Sequence, residues 1–258
     1  MSEAGLIESR RAGNLTVKIY EDAKALGDGA AARAAQSLKA LAAQTRDVAV
    51  IFATGASQFE TLRALTSIEG LPWSQVTGFH MDEYIGISDQ HPASFRRYLR
   101  ERLTSLVPLK QFFGIDGSGS EPETACRQYA DLLRAHQPKL CLLGIGENGH
   151  LAFNDPAEAD FADPLDAKVV SLDDACRQQQ LAEGWFASFD EVPRRAITLT
   201  IPTLFRVPEL ICSVPGPRKA HIVKRSLNEA ISTGCPATIL RTHPNTTVYL
   251  DRASAAEL

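Results

Sequence analysis

The sequence predicts an α/β fold: a single domain with a mostly parallel sheet and helices on both faces, a Rossmann-like three-layer arrangement. Short runs such as Val48–Ala53 and Leu140–Leu143 are apolar on both faces, as strands of a parallel sheet covered on both sides must be. Strand-like and helix-like segments alternate along the chain, the pattern of βαβ crossovers. Several of the strand-like runs end in glycine, hydroxyl or acidic residues, and an open α/β sheet places its ligands beyond such strand ends.

With 258 residues and 44% apolar content, the chain is long enough for one large core, and no low-complexity tract or repeat divides it. Residues 1–14 are expected to be an N-terminal tail and residues 15–258 a single catalytic domain. The N-terminus carries Glu3, Glu8, Arg10 and Arg11 where a signal peptide needs an apolar run, and no segment approaches a membrane span. The expected setting is cytoplasmic, with no membrane partner. A net charge of −4 offers no footprint for nucleic acid. Five cysteines without a Cys-x-x-Cys pair argue against a disulfide framework or zinc knuckle. A homo-oligomer is compatible with all of this and is not decided by it.

Taken in order, Leu15–Tyr20 alternates as a strand. The alanine-rich run Ala23–Ala43 favours helix, with a loosening or restart expected near Gly27–Gly29. Val48–Ala53 ends in Thr54-Gly55-Ala56-Ser57, ahead of a helical pattern starting at Phe59. Ser57 and Glu60 have capping-box spacing, so backbone N–H groups and a helix dipole are expected to form a phosphate cradle there. The Gly-Lys-Ser/Thr ending of a P-loop is missing, which argues against a nucleoside triphosphate. Val76–Met81 runs into Asp82-Glu83-Tyr84, where alternation lets at most one of the two carboxylates face a given pocket. His80, Asp82, Glu83 and His91 have no recognised ligand spacing, and no metal is expected. Further strands are expected at Gln111–Ile115, Lys168–Leu172, Ala196–Ile201, Leu210–Val214 and Thr247–Asp251, all within the same sheet. Helices are expected at Ala93–Leu103, Glu121–His136 and Asp174–Phe186, and after Pro215-Gly216-Pro217. That last helix carries Lys219 in its first turn, where the dipole disfavours a cation unless an anion is shared with the helix end.

Chemistry concentrates between Lys139 and Pro156. The strand Leu140–Leu143 stops at Gly144, Gly146 and Gly149, residues that let backbone approach a ligand closely. His150 exchanges protons near neutral pH and Asp155 is a carboxylate suited to orient it. Gly144-x-Gly146-x-x-Gly149 also spells the dinucleotide fingerprint, but that motif needs a helix opening at its last glycine. Here the chain runs instead into Asn154-Asp155-Pro156 and an acidic segment, so no cofactor is expected.

Three motifs together resemble the glucosamine-6-phosphate deaminase (isomerase) family: the Thr54-Gly55 turn, Phe79-His-Met-Asp-Glu-Tyr84 followed by His91-Pro92, and Gly144-Ile-Gly-Glu-Asn-Gly-His150 with Phe153-Asn154. The likeness spans roughly residues 15–252. The related 6-phosphogluconolactonases share the glycine-histidine loop but typically have Asp-Glu-Arg in place of Asp82-Glu83-Tyr84. The resemblance implies conversion of glucosamine 6-phosphate and water to fructose 6-phosphate and ammonia. It casts Asp82 as the base moving a proton between C2 and C1, and His150, supported by Asn148 and Asp155, as the acid/base on the ring oxygen. It assigns substrate binding to Thr54, Gly55, Ala56, Ser57, Gly146 and Lys219. Two departures stand out. Asn154-Asp155-Pro156 is one methylene shorter than the family's Asn-Glu-Pro, so the contact with His150 has to be rebuilt. Gly184 stands where a phosphate-binding arginine precedes the aromatic pair, leaving Arg177 as the substitute. An amino sugar phosphate is thus the expected small-molecule partner, with galactosamine 6-phosphate also compatible. A lactonase and a sugar-phosphate effector domain are the alternatives.

Overall fold

Alternate residues of the central strands enter different cores, which makes the main sheet the middle layer of three. In β3 (Val48–Phe52), Ala49 and Ile51 join one apolar cluster while Val48, Val50 and Phe52 join the other. In β7 (Leu140–Leu143), Cys141 and Leu143 divide from Leu140 and Leu142 in the same way. A two-residue side-chain period with both faces apolar requires this arrangement.

The computed structural model describes residues 3–182 and 184–258. Its main sheet also contains β1 (Leu6–Ala12), β2 (Leu15–Tyr20), β4 (Val76–His80), β6 (Gln111–Phe113), β10 (Glu209–Val214) and β11 (Thr246–Asp251). The eight strands lie in the order β1-β2-β11-β10-β7-β3-β4-β6. Every pairing is parallel except β1 with β2. Helices α1 (Ala23–Ala42), α2 (Phe59–Ser67) and α3 (Phe95–Leu99) cover one face with Leu26, Leu38, Leu62, Leu65 and Leu99. Helices α4 (Pro122–His136), α6 (Ile201–Phe205) and α7 (Ala220–Asn228) cover the other with Tyr129, Leu133, Leu204 and Ile222. No helix among the described residues is long and apolar enough to cross a membrane.

Three expectations need correction. The first fourteen residues were expected to form a tail, yet Leu6–Ala12 pairs with β2 as an antiparallel edge strand. Its exposed, charge-rich pattern gives no inward-facing apolar period to find. The strands expected at Lys168–Leu172 and Ala196–Ile201 form, as β8 (Ala167–Ser171) and β9 (Arg195–Leu199), but they leave the main sheet. They build a separate antiparallel sheet, β5-β9-β8, with β5 (Asp82–Tyr84) at its edge. Finally, α1 runs unbroken through Gly27 and Gly29. These glycines are contact points: a Cβ on Gly27 would lie 2.5 Å from Glu60 Cβ and 2.6 Å from the Glu60 carbonyl carbon, so α1 and α2 touch there along their backbones.

Gly27→Val should therefore force α1 and α2 apart and lower stability by about 1–3 kcal/mol, the usual cost of overpacking. The expected result is a reduced urea midpoint at unchanged m-value.

Candidate active site

Parallel neighbours carry their C-terminal ends to one edge, and β10, β7, β3 and β4 are adjacent in the sheet. The segments leaving them converge on a cleft of about 220 Å³, lined in part by Thr54, Gly55, Ala56, Ser57, Asp82, Gly146, His150 and Lys219. That volume suits one small ligand. No helix lies between β7 and β8, so the glycine motif lacks the helix N-terminus that a pyrophosphate would need.

Asp82 and Glu83 share burial but differ in everything else. Glu83 is fully buried, and its carboxylate accepts from the Ser94 hydroxyl, the Tyr84, Phe95 and Arg96 backbone N–H groups and the Arg96 side chain. It is a tether for the start of α3, its charge answered by donors. Asp82 points to the other side of β5, into the cleft, and its Oδ1 is buried with no hydrogen-bond partner. Burial, followed by the neighbouring Glu83 charge, pushes the Asp82 carboxyl well above its ordinary range. Of the histidines near this strand end, His80 accepts the Ile115 N–H at 2.7 Å through Nε2, and burial drives its pKa down to about 3. His91 accepts from the Ala93 N–H and packs on Phe186. His80, Asp82, Glu83 and His91 do not form a metal-binding group among the described residues.

His150, Asn148 and Asp155 form one assembly although the carboxylate is short. Asn148 donates its side-chain amide to Asp155 Oδ1 at 2.8 Å and accepts the His150 backbone N–H at 3.0 Å. His150 Nδ1 lies 2.8 Å from Asp155 Oδ1. The ring is angled off that line, leaving Nδ1 and Asp155 Oδ2 without a hydrogen-bond partner, so this is a close polar contact and not a linear hydrogen bond. Burial works to raise the Asp155 carboxyl, but the His150 ring, the Asn148 amide and the Cys176 thiol outweigh it and hold it below the usual range. On the opposite side, a Cβ on Gly146 would fall 2.2 Å from His150 Nε2. Gly146 thus serves as the floor on which the imidazole rests. His150 meets the cleft, whereas Asn148 and Asp155 stand behind it.

Thr54–Ser57 line the cleft as expected, but not through a capping box. Ala56–Gln58 form a 3₁₀ turn, α2 starts without a side-chain cap, and Glu60 pairs with Arg63 at 2.7 Å. Arg177 is also misplaced in the sequence reading. Helix α5 (Asp174–Ala182) turns it inward, where it is 2% exposed, donates to the Phe189 and Val192 carbonyls and stacks on Phe189. It does not line the cleft. The same helix presents Gln179 and Gln180 instead. Gln180 accepts the buried Tyr84 hydroxyl at 2.6 Å, and Gln179 accepts the Glu147 N–H at 3.1 Å. Sequence reasoning also missed Arg218, which lines the cleft next to Lys219, its Nε 3.2 Å from Glu147 Oε1. The only signal for it was adjacency to Lys219.

Comparison with known proteins bears on family and fold. The family model described as glucosamine-6-phosphate isomerases/6-phosphogluconolactonase matches residues 21–249. A glucosamine-6-phosphate deaminase of an Exiguobacterium species is 39% identical over 190 residues, 73% of this chain and 72% of that protein. One from a Geobacillus species is 35% identical over 226 residues, 85% and 88% of the two chains. Among solved structures, a monomeric glucosamine-6-phosphate deaminase superposes with a TM-score of 0.86 at 30% identity, covering 94% of this chain and 99% of that one. A 6-phosphogluconolactonase from Thermotoga maritima reaches a TM-score of 0.74 at 19% identity, over 92% and 99% of the chains, a likeness of fold alone.

Gly146→Ala should leave the protein folded but lift the imidazole of His150 off its floor and away from Asp155. A crystal structure of the variant should show the ring displaced. A ring still 2.8 Å from Asp155 would show that the close approach at Gly146 does not position it.

Proposed function

The chain belongs to the glucosamine-6-phosphate isomerase/6-phosphogluconolactonase family, and within that family we propose that it is a glucosamine-6-phosphate deaminase, releasing fructose 6-phosphate and ammonia. The observation that carries this reading is the pairing, in one cleft, of a carboxylate with no internal partner, Asp82, and an imidazole backed by a carboxylate, His150 with Asp155. The reaction needs one group for a proton on carbon and another for a proton on oxygen. His150 serves the ring oxygen as the sugar opens, with Asp155 and Asn148 fixing its position. Asp82 takes the proton from C2 of the open amino-aldose and returns it to C1, which gives the ketose imine. Water adds at C2 of the imine, and ammonia departs. Lys219 and Arg218 hold the phosphate along with the backbone of the Thr54–Ser57 turn, while Arg177 has no part in binding.

A lactonase would use the same cleft without releasing ammonia. Tyr84 favours the deaminase, because it stands where the related lactonases typically have arginine, and the curated relatives at 35–39% identity are deaminases. A cytoplasmic setting fits this reading, as all five cysteines are buried and unpaired.

Ammonia release from glucosamine 6-phosphate is the deciding assay, with acid release from 6-phosphogluconolactone as the contrary result. Asp82→Asn should lower turnover about 10²- to 10⁴-fold and abolish exchange of the C2 proton with deuterated water. Normal exchange in that variant would move the role to another group. Asp82 must be ionised to act as the base, and its carboxyl is raised. In the wild-type enzyme kcat/KM should therefore fall as pH is lowered through a value above the ordinary carboxylate range, and a limb at an ordinary carboxylate value would contradict this.

Arg218→Ala should raise KM by roughly ten- to a hundredfold, the loss of one charge-assisted contact, with kcat changed only a few fold. Arg177→Lys should leave KM unchanged.

A further inference from the structure

Cys176 handles no proton in the mechanism above, yet its thiol bears on Asp155. Nδ1 of His150, a carboxylate oxygen of Asp155 and Sγ of Cys176 all lie within 4.8 Å of one another, and all three side chains are buried. They make the only such group of three potential ligands among the described residues. Two of the donor atoms, His150 Nδ1 and Asp155 Oδ2, have no hydrogen-bond partner although their side chains are only 11% and 1% exposed. Asn148 occupies Asp155 Oδ1, which leaves Oδ2 as the oxygen able to take a cation. Buried polar atoms without partners are costly and point to a ligand that satisfies them.

We propose that His150, Asp155 and Cys176 form an inhibitory site for a zinc-class divalent ion, in which the metal binds the His150–Asp155 pair and stops turnover. The donor set selects the ion. One imidazole nitrogen, one thiolate and one carboxylate oxygen match the ligands of four-coordinate zinc, while magnesium and calcium prefer oxygen throughout. Binding breaks the Cys176 S–H bond and releases that proton to water, so the thiolate becomes the third protein ligand. Water fills the fourth position. A metal on Nδ1 and Asp155 replaces the contact that orients the ring and puts positive charge on the imidazole, which then no longer exchanges a proton with the sugar oxygen. Catalysis itself uses no ion at this place; the metal is an inhibitor.

The inhibition rests on the deaminase reading, whereas binding does not, and the test separates them. Reduced, metal-stripped full-length protein is titrated with Co²⁺, which reports thiolate ligation through a charge-transfer absorption in the near ultraviolet, and then with Zn²⁺ as competitor. Wild type should show the band and lose it to Zn²⁺. Cys176→Ala and the size-matched Cys176→Ser should lack it, with the other four cysteines still in place. In the ammonia assay, Zn²⁺ should inhibit wild type reversibly, with activity returning on chelation. Measured against each variant's own metal-free turnover, both Cys176 variants should need at least about tenfold more Zn²⁺ for the same fractional inhibition. The proposal is overturned by absence of the band in wild type, by its persistence in both variants, or by undiminished zinc sensitivity in both. A Cys176-dependent band in a protein that releases no ammonia would uphold the site and remove the deaminase reading instead.

Discussion

Parallel hydrogen bonding between β10, β7, β3 and β4 is the constraint on which the site depends. It sends four chain segments out of the same edge, so residues far apart in sequence, such as Ser57, Asp82, His150 and Lys219, share one cleft. Each crossover must also return over a face of the sheet, which is why helices fill both outer layers and the strands are apolar on both sides. The cleft is therefore built by segments beyond the strand ends, while the main sheet is free to be ordinary core.

Around the cleft, the task proposed for each acid follows from how it is satisfied. Glu83 is covered by donors from α3, and this makes it structural. Asp82, one residue earlier, has an oxygen with none, and desolvation raises its carboxyl, the direction that the base proposed for C2 requires. Asp155 receives amide and imidazole neighbours and stays on the acidic side, so it can polarise a ring without taking its proton. Three carboxylates of nearly equal intrinsic strength are thus set to three tasks by their surroundings.

Much of this was legible in the chain. The strands of the main sheet reveal themselves by two-sided apolar runs, and Asp82, His150 and Asp155 by their place at strand ends. What escaped has physical reasons. The β1 strand is held by backbone pairing on an exposed edge, which leaves no side-chain period. The departure of β8 and β9 into a second sheet depends on pairing with β5, a non-local choice that strand propensity does not encode. Arg177 has the charge expected of an anion ligand, but carbonyls of residues 189 and 192 claim it, and charge alone does not tell which way a helix faces. Arg218 was overlooked because a cation beside another cation in a turn is normally solvated. Asp155, although one methylene short, still reaches His150, since the loop from Gly149 closes on itself at the Leu151–Asn154 bridge.

Asp82, the residue proposed to take the proton from carbon, is not carried by the main sheet at all. Its strand leaves the core after His80 and belongs to the small antiparallel sheet, held by pairing with β9 and by the link from Tyr84 to α5. The two groups proposed to handle protons thus stand on separate foundations, His150 on the loop beyond β7 and Asp82 on a lighter structure beside it. Such a machine wears out by misalignment before it falls apart: warming that loosens the small sheet alone would silence turnover while the eight-stranded core still gave the spectrum of a folded protein.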